Sequence, residues 1–276
     1  MSCFLLEEFV QSQSIFSQCY PDKEQNCDKD SANLEWPETK MRFLLFTRKN
    51  QKQSEMLHMC NGTLPKNSHF NPNNQLVVII PGFMFGTCEI ESIPVTGLVG
   101  QQFPVHRITA LDPAGVTYTK DTSLVKRLDP GDADIVDVIH TNGGTGLPYL
   151  GAYFPMGDAD FYVNGGASQP SCSKSVWDAA KHFNFMFVIG VSSVPSFCAH
   201  SQAIEYYKLS ISDFPGKFVA HACNSYKEFK AGNCTGDGAS NVTMGYDFEK
   251  SFTPEQRRKK LPRKYYIDTK KAWPFV

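Results

Sequence analysis

Two residues of this chain have the types and positions needed for acid–base chemistry. Asp112 follows the apolar segment His106–Leu111 (HRITAL) and is locked by Pro113. A carboxylate just past a buried strand can hold a histidine in one tautomer and steady the imidazolium that forms when the ring takes a proton. His200 stands at the start of the clearest helical pattern, Ala199–Ser210, two residues beyond Cys198, so a disulfide there would fix its backbone. Read blandly, Asp112 is a turn aspartate and His200 a solvent-facing helical histidine. Read together they give acid then base in chain order, which calls for a nucleophile upstream. That nucleophile belongs in a glycine-lined elbow, GxSxG, whose strained turn leaves no room for larger neighbours. No GxSxG stands anywhere in the sequence. Ser92, in Ile-Glu-Ser-Ile-Pro, lacks both glycines; Cys88, in Gly-Thr-Cys-Glu-Ile, lacks the second and reads as structural.

Other groups offer weaker chemistry. Gly82-Phe83 closes a β-branched run and would present a backbone N–H to a developing oxyanion. Asp129 and Asp132, with Arg127 nearby, supply oxygens of the kind calcium prefers, or else form a solvated acidic turn. The basic run Arg257, Arg258, Lys259, Lys260, Arg263 and Lys264 suits an anionic surface, or is simply a solvated face. Nine cysteines are scattered without any CxxC spacing, which excludes that type of zinc or redox site. Cys223 with Cys234 can close a small loop, and Cys172 with Cys198 a larger one. Acceptor sequons at Asn61, Asn233 and Asn241 add to the cysteines in favouring the secretory pathway over a cytosolic protein with free thiols. The segment Met1–Val10 lacks a basic region and is interrupted by Glu7 and Glu8, so it is not a recognisable signal peptide.

The elements that must carry these groups can be read from patterning. The 276 residues are 41% hydrophobic and 20% charged, with a formal net charge of -1. That composition supports a folded core and argues against a dedicated nucleic-acid binder. No apolar stretch reaches the roughly 18 residues of a membrane-spanning helix; Phe183–Val194 is the longest candidate. Residues 1–40 read as a leader or poorly ordered segment, and 41–276 as one domain. Strands are expected at Met41–Thr47, Gln75–Pro81, His106–Leu111 and Ile135–Thr141, and a strand with its turn at Gly157–Gly166. The second of these suits a central parallel strand buried on both faces. Ala199–Ser210 is a helix with an apolar face through Ala203, Ile204, Tyr207 and Ile211. Residues 216–250 look loop-rich, and Tyr265–Thr269 suits a closing edge strand. Alternation of strands, helix and glycine turns points to an α/β fold.

Several strings resemble one family. RITALDPAG (107–115), ADIVDVIHTNGG (133–144), GDADFYVNGGASQPSC (157–172), CAHSQAIEYY (198–207) and YYIDTKKAWPF (265–275) are similar, in order and spacing, to pancreatic-type lipases, a family that includes insect phospholipases A1. RFLLFTRKN (42–50) resembles its first strand and IIPGF (79–83) its oxyanion segment. The resemblance implies an α/β-hydrolase fold, a lipid substrate or interface, extracellular location, and no required cofactor, with calcium at Asp129 and Asp132 as in the pancreatic members. It implies Asp112 as triad acid, His200 as base and Phe83 as an oxyanion donor. It also implies a Cys172–Cys198 bridge bracketing a lid at 173–197 and a Cys223–Cys234 bridge. The length of that lid resembles triacylglycerol lipases more than phospholipases A1. The chain departs from the pattern at Pro81, where the family has histidine. Only residues 84–111 separate Phe83 from Asp112, a much shorter stretch than the family's. Val95–Gly100 (VTGLVG) resembles the stretch just after the missing elbow, so a truncated fold that has lost a central strand and flanking helices is expected. Such a product would lack serine catalysis and keep, at most, lipid binding.

Overall fold

The computed structural model describes residues 2–6, 42–47, 49–57, 67–71, 77–79, 105–115, 120, 127–146, 148–172, 194–212, 217–234, 241–253, 256 and 263–276. Phe83, Asn61, residues 173–193 and most of the basic run lie outside them. The chain divides into two units, Met1–Ser92 and Ile93–Val276.

The first unit contains strands β1 (Ser2–Leu6), β2 (Arg42–Phe46), β3 (Glu55–Leu57) and β4 (Val77–Ile79), in the order β3-β2-β1-β4. The β2–β3 hairpin is turned by Asn50. Its carboxamide oxygen accepts from the Thr47 amide at 2.7 Å and its nitrogen donates to the Leu45 carbonyl at 2.9 Å, the local pairing that makes Asn a turn residue. β4 does form within Gln75–Pro81, but it stands at the end of the order and runs antiparallel to β1. A continuous β-branched run signals a buried strand and carries no information about which neighbour it finds or in which direction.

The second unit is built on a six-stranded sheet of order β5-β6-β7-β10-β8-β9, from β5 (Arg107–Leu111), β6 (Ile135–His140), β7 (Ala159–Val163), β8 (Val219–Ala222), β9 (Asn241–Thr243) and β10 (Arg263–Ile267). β5, β6, β7 and β10 are mutually parallel, while β8 and β9 add antiparallel pairs. All residues of β6 and β7 are buried, as parallel strands covered on both faces must be. β10, expected at an edge, lies inside the sheet between β7 and β8, with Tyr265, Tyr266 and Ile267 buried. Being last in the chain does not put a strand last in a sheet. Region 216–250 is also more ordered in kind than its composition suggests. It holds β8, β9 and two short helices, α2 (Tyr226–Lys230) and α3 (Phe248–Ser251). Strands of three or four residues with polar alternates such as His221 and Asn241 are too short to show a period.

Helix α1 runs Val194–Ile211, starting earlier than Ala199. Pro195 is tolerated in its first turn because that N–H has no partner within the helix. Its buried stripe is Ala199, Ala203 and Tyr206; Ile204 and Tyr207, expected to point inward, are only partly buried. Tyr206 joins a core rich in aromatics, with Phe161, Phe218, Phe248, Phe252 and Tyr265.

Candidate active site

The site assembles where the parallel strands end. β5 finishes at Leu111 and the chain turns at Asp112, whose φ of 45° lies in the left-handed region that aspartate tolerates better than most residues. The Asp112 amide still donates to the Ile139 carbonyl at 2.7 Å, so the turn is fastened to the neighbouring strand. β6 then delivers the next two residues. The amides of Thr141 and Asn142 donate to Asp112 Oδ1 at 2.7 and 2.9 Å. The other oxygen, Oδ2, lies 2.6 Å from His200 Nδ1. Asp112 is wholly buried and the His200 side chain is 14% exposed. A carboxylate that already accepts two amides accepts a third hydrogen from Nδ1, which fixes the neutral ring with its basic lone pair on Nε2.

Glycine is required opposite the carboxylate. A Cβ at Gly151 would come within 2.5 Å of both Asp112 carboxylate oxygens. Behind the pair, Gln169 ties three elements together. Its nitrogen donates to the Thr141 and Val163 carbonyls at 2.8 and 3.0 Å, and its oxygen accepts from Tyr206 and Asn164 at 3.0 and 2.7 Å. Asn164, itself at φ 52°, exchanges bonds with Thr269. Burial pushes the Tyr206 phenol above its ordinary value, against the hydrogen bonds that favour its ionised form.

The structure brings Asp112 and His200 together across the fold, as their chain order suggests. His200 is not at a helix start, however: the helix begins at Val194 and His200 lies in its second turn. The four final residues of the expected lid, 194–197, are helical; residues 173–193 lie outside the described residues. The bridges Cys172–Cys198 and Cys223–Cys234 both form. Thr141, Asn142, Gly151 and Gln169 were missed. Their roles are backbone amides, an empty Cβ position and a carboxamide in a polar turn, none of which leaves a chemical signature in sequence.

At the acidic turn, Asp129 Oδ1 accepts from the Gly131 amide at 2.7 Å and Asp132 Oδ2 from the Asp129 amide at 3.0 Å. The turn closes on itself. Among the described residues no three His, Cys, Asp or Glu side chains converge on one point, so a calcium ion there would take two carboxylates and otherwise backbone carbonyls. Asn233 and Asn241 are both exposed. Among the described residues no helix is long and apolar enough to cross a membrane.

Comparison with known proteins adds the family. The Lipase family model matches residues 92–275, two thirds of the chain. Pancreatic lipase-related protein 3 of Homo sapiens is 41% identical over 145 residues, covering 51% of this chain and 30% of that protein. Phospholipase A1 member A of Bos taurus is 37% identical over 142 residues, 51% of this chain and 27% of its own length. Inactive pancreatic lipase-related protein 1 of Homo sapiens is 38% identical over 143 residues, again 51% of this chain and 30% of its own. The chain thus spans less than a third of the length of these curated relatives. The parallel run β5-β6-β7-β10 falls inside the match. It has the architecture of an α/β-hydrolase in truncated form, and β5 has a single strand neighbour among the described residues. From its matched residues and its sheet, the chain belongs to the lipase family, in the pancreatic-type branch.

Proposed function

We propose that the protein derives from a secreted hydrolase of lipid carboxylic esters, triacylglycerols or phospholipids, and that this 276-residue chain holds the acid–base half of the catalytic machinery without its nucleophile. The observation that carries this reading is the buried Asp112 carboxylate, fixed by two amides and bonded to His200 Nδ1 at 2.6 Å, in a chain with no GxSxG serine. In an intact enzyme of this kind, His200 Nε2 would accept the proton of the attacking serine hydroxyl and return it to the leaving alkoxide. Asp112 would hold the ring and stabilise the imidazolium between those steps. Phe83 would offer one oxyanion N–H. Without the serine, neither the acyl-enzyme nor the oxyanion donor that follows the nucleophile can form. Calcium, if bound, would meet Asp129 and Asp132. Carbohydrate at Asn61, Asn233 and Asn241 would accompany secretion.

The decisive experiment exposes the purified chain to a serine-directed long-chain phosphonate and, in parallel, to emulsified triolein and to phosphatidylcholine vesicles. No adduct and no fatty-acid release are expected. A covalent adduct on any serine of this chain would sink the reading. Mass spectrometry of source material should also yield a peptide running unbroken from Met84 to Phe103. Peptides carrying a GHSLG-like insert before Val95, and never that junction, would mean that the active protein is longer.

A second reading, a non-catalytic lipid-binding member, is favoured by the same lack of a GxSxG motif. One of the relatives is itself named inactive. Co-sedimentation with phosphatidylcholine vesicles without hydrolysis would support it, and no binding would remove it.

A further inference from the structure

A second histidine–carboxylate couple lies close to the acid turn and has no part in the chemistry proposed above. His140, the last residue of β6, and Asp160, in β7, are both wholly buried, with Nε2 2.7 Å from Oδ1. His140 Nδ1 lies 2.8 Å from the Ala152 carbonyl oxygen. A carbonyl only accepts, so Nδ1 carries the hydrogen of that bond, and Nε2 is the ring nitrogen that faces the carboxyl group. Asp160 is held in turn by the amides of Met156 at 3.0 Å and Gly157 at 3.1 Å. The imidazole is stacked on Tyr162, centroids 4.5 Å apart and planes within 8°. Both ring nitrogens are engaged and one face is covered, so the ring has one orientation.

What it grips is the strap 150–152. The Ala152 amide donates to the Pro113 carbonyl at 2.8 Å, and the Leu150 carbonyl accepts from Gly115 at 2.7 Å. Leu150 also donates to Asn142 Oδ1 at 2.9 Å, and Gly151 to the Asn142 carbonyl at 3.1 Å. Between these bonds sits Gly151, the residue with no room for a Cβ against the Asp112 carboxylate. The strap is therefore a wall behind Asp112, and His140 is its anchor on the β6 side, beside the bonds to Pro113, Gly115 and Asn142. From the other side His140 is bonded covalently to Thr141, whose amide holds Asp112 Oδ1.

We propose that the Asp160–His140 couple is a positioning device for the Asp112–His200 couple: it pins the strap 150–152 and so sets the direction in which the Asp112 carboxylate faces His200. The inference rests on Asp112 and His200 being the acid and base. Proton NMR of the full chain tests it. The His200 Nδ1 proton should give a low-field signal that disappears in Asp112→Asn and in His200→Gln. In His140→Phe, which keeps an aromatic ring over Tyr162, that signal should broaden beyond detection or shift. Because His140→Phe takes the imidazole away from the buried Asp160 carboxyl group, which keeps the Met156 and Gly157 amides, the double variant His140→Phe/Asp160→Asn tests the couple as a whole. In it the His200 signal should stay perturbed. A double variant with the wild-type signal would show a merely structural pair and overturn the proposal. Hydrogen exchange of the unaltered chain adds a reading that needs no variant to fold. The Ala152 amide should be as protected as those of Thr141 and Asn142, and independent fast exchange at Ala152 would also overturn the proposal. If the unaltered chain shows no low-field signal sensitive to Asp112→Asn, the acid–base reading itself fails and takes this inference with it.

Discussion

Replacing Gly151 by alanine puts a methyl carbon 2.5 Å from both oxygens of the Asp112 carboxylate. Ordinary contact begins at about 3.4 Å, so the carboxylate or the strap must retreat by about 0.9 Å. The carboxylate is held by Thr141, Asn142 and His200 at 2.7, 2.9 and 2.6 Å. Such a retreat would stretch these bonds toward or past 3.5 Å, where little hydrogen bonding survives. Hydrogen bonds to a charged group are worth about 1.5–3 kcal/mol each. Partial relaxation that saves one of the three leaves an expected cost of about 3–6 kcal/mol. For a unit of this size 1 kcal/mol moves Tm by about 2–4 °C, so Gly151→Ala should melt roughly 10 °C below the unaltered chain by circular dichroism. The cause can be isolated by repeating the substitution in Asp112→Ala, where the obstructing carboxylate is gone. There Gly151→Ala should cost about 1 kcal/mol or less, a strongly non-additive cycle. Equal penalties in both backgrounds would refute the claim that the empty Cβ position serves Asp112.

Three further outcomes are expected. Arg107 makes a two-pronged pair with fully buried Asp137 at 2.7 and 3.0 Å and also donates to the Gly245 and Tyr246 carbonyls; Arg107→Met should cost about 3–5 kcal/mol in a denaturant melt, because buried Asp137 loses its guanidinium partner and is left with the Thr109 hydroxyl, and a loss under 1 kcal/mol would contradict this. His106 bridges Glu249 at 2.8 Å and Asp134 at 3.2 Å, and these bonds hold its proton above the usual histidine range. Its contribution is therefore full below the unfolded histidine value, near 6.5, and is lost as pH rises through the raised folded value. Since the ring is largely exposed, the Tm gap between the unaltered chain and His106→Gln should correspond to only about 0.5 kcal/mol at pH 5.5 and vanish by pH 9; a gap that widens with pH would show the sign to be wrong. Cys172→Ser/Cys198→Ser opens a link of sequence separation 26 and should cost about 3.5 kcal/mol by the chain-entropy relation, measured by urea melts of the oxidised chain and the double variant.

Legibility in the sequence followed the kind of signal each residue emits. Ile135–His140 was readable because it is buried on both faces and needs no period, whereas Asp112, an acid beside Pro113 after an apolar run, reads equally as a turn aspartate until His200 is set beside it. His200 gained its meaning from order along the chain. β10 was misplaced because RKYYI shows how buried a strand can be and not which strands flank it. The groups that fix Asp112 are the peptide amides of Thr141 and Asn142, which almost every residue type possesses and which no pattern of side chains announces. Gly151 was invisible for a related reason: a glycine needed for space looks the same as one needed for a turn. His140 and Asp160 stood in plain view inside resemblance blocks, but 20 residues apart, and only the parallel register of β6 and β7 makes them neighbours.

The bonds that fix Asp112 join residues 29, 30 and 88 positions away. Parallel pairing of β5 with β6 cannot come from a tight turn, and α1 must then pack on the result. Loop-closure entropy is spent before any of these contacts returns free energy, which makes such contacts slow to form. Helix α1 can acquire its backbone bonds locally and early, while the orientation of Asp112 waits until the sheet is in register. The Asp112–His200 bond is in that sense a completion mark: a collapsed intermediate with native helix content would still lack it. The bond therefore separates chains that have merely collapsed from chains that have finished folding.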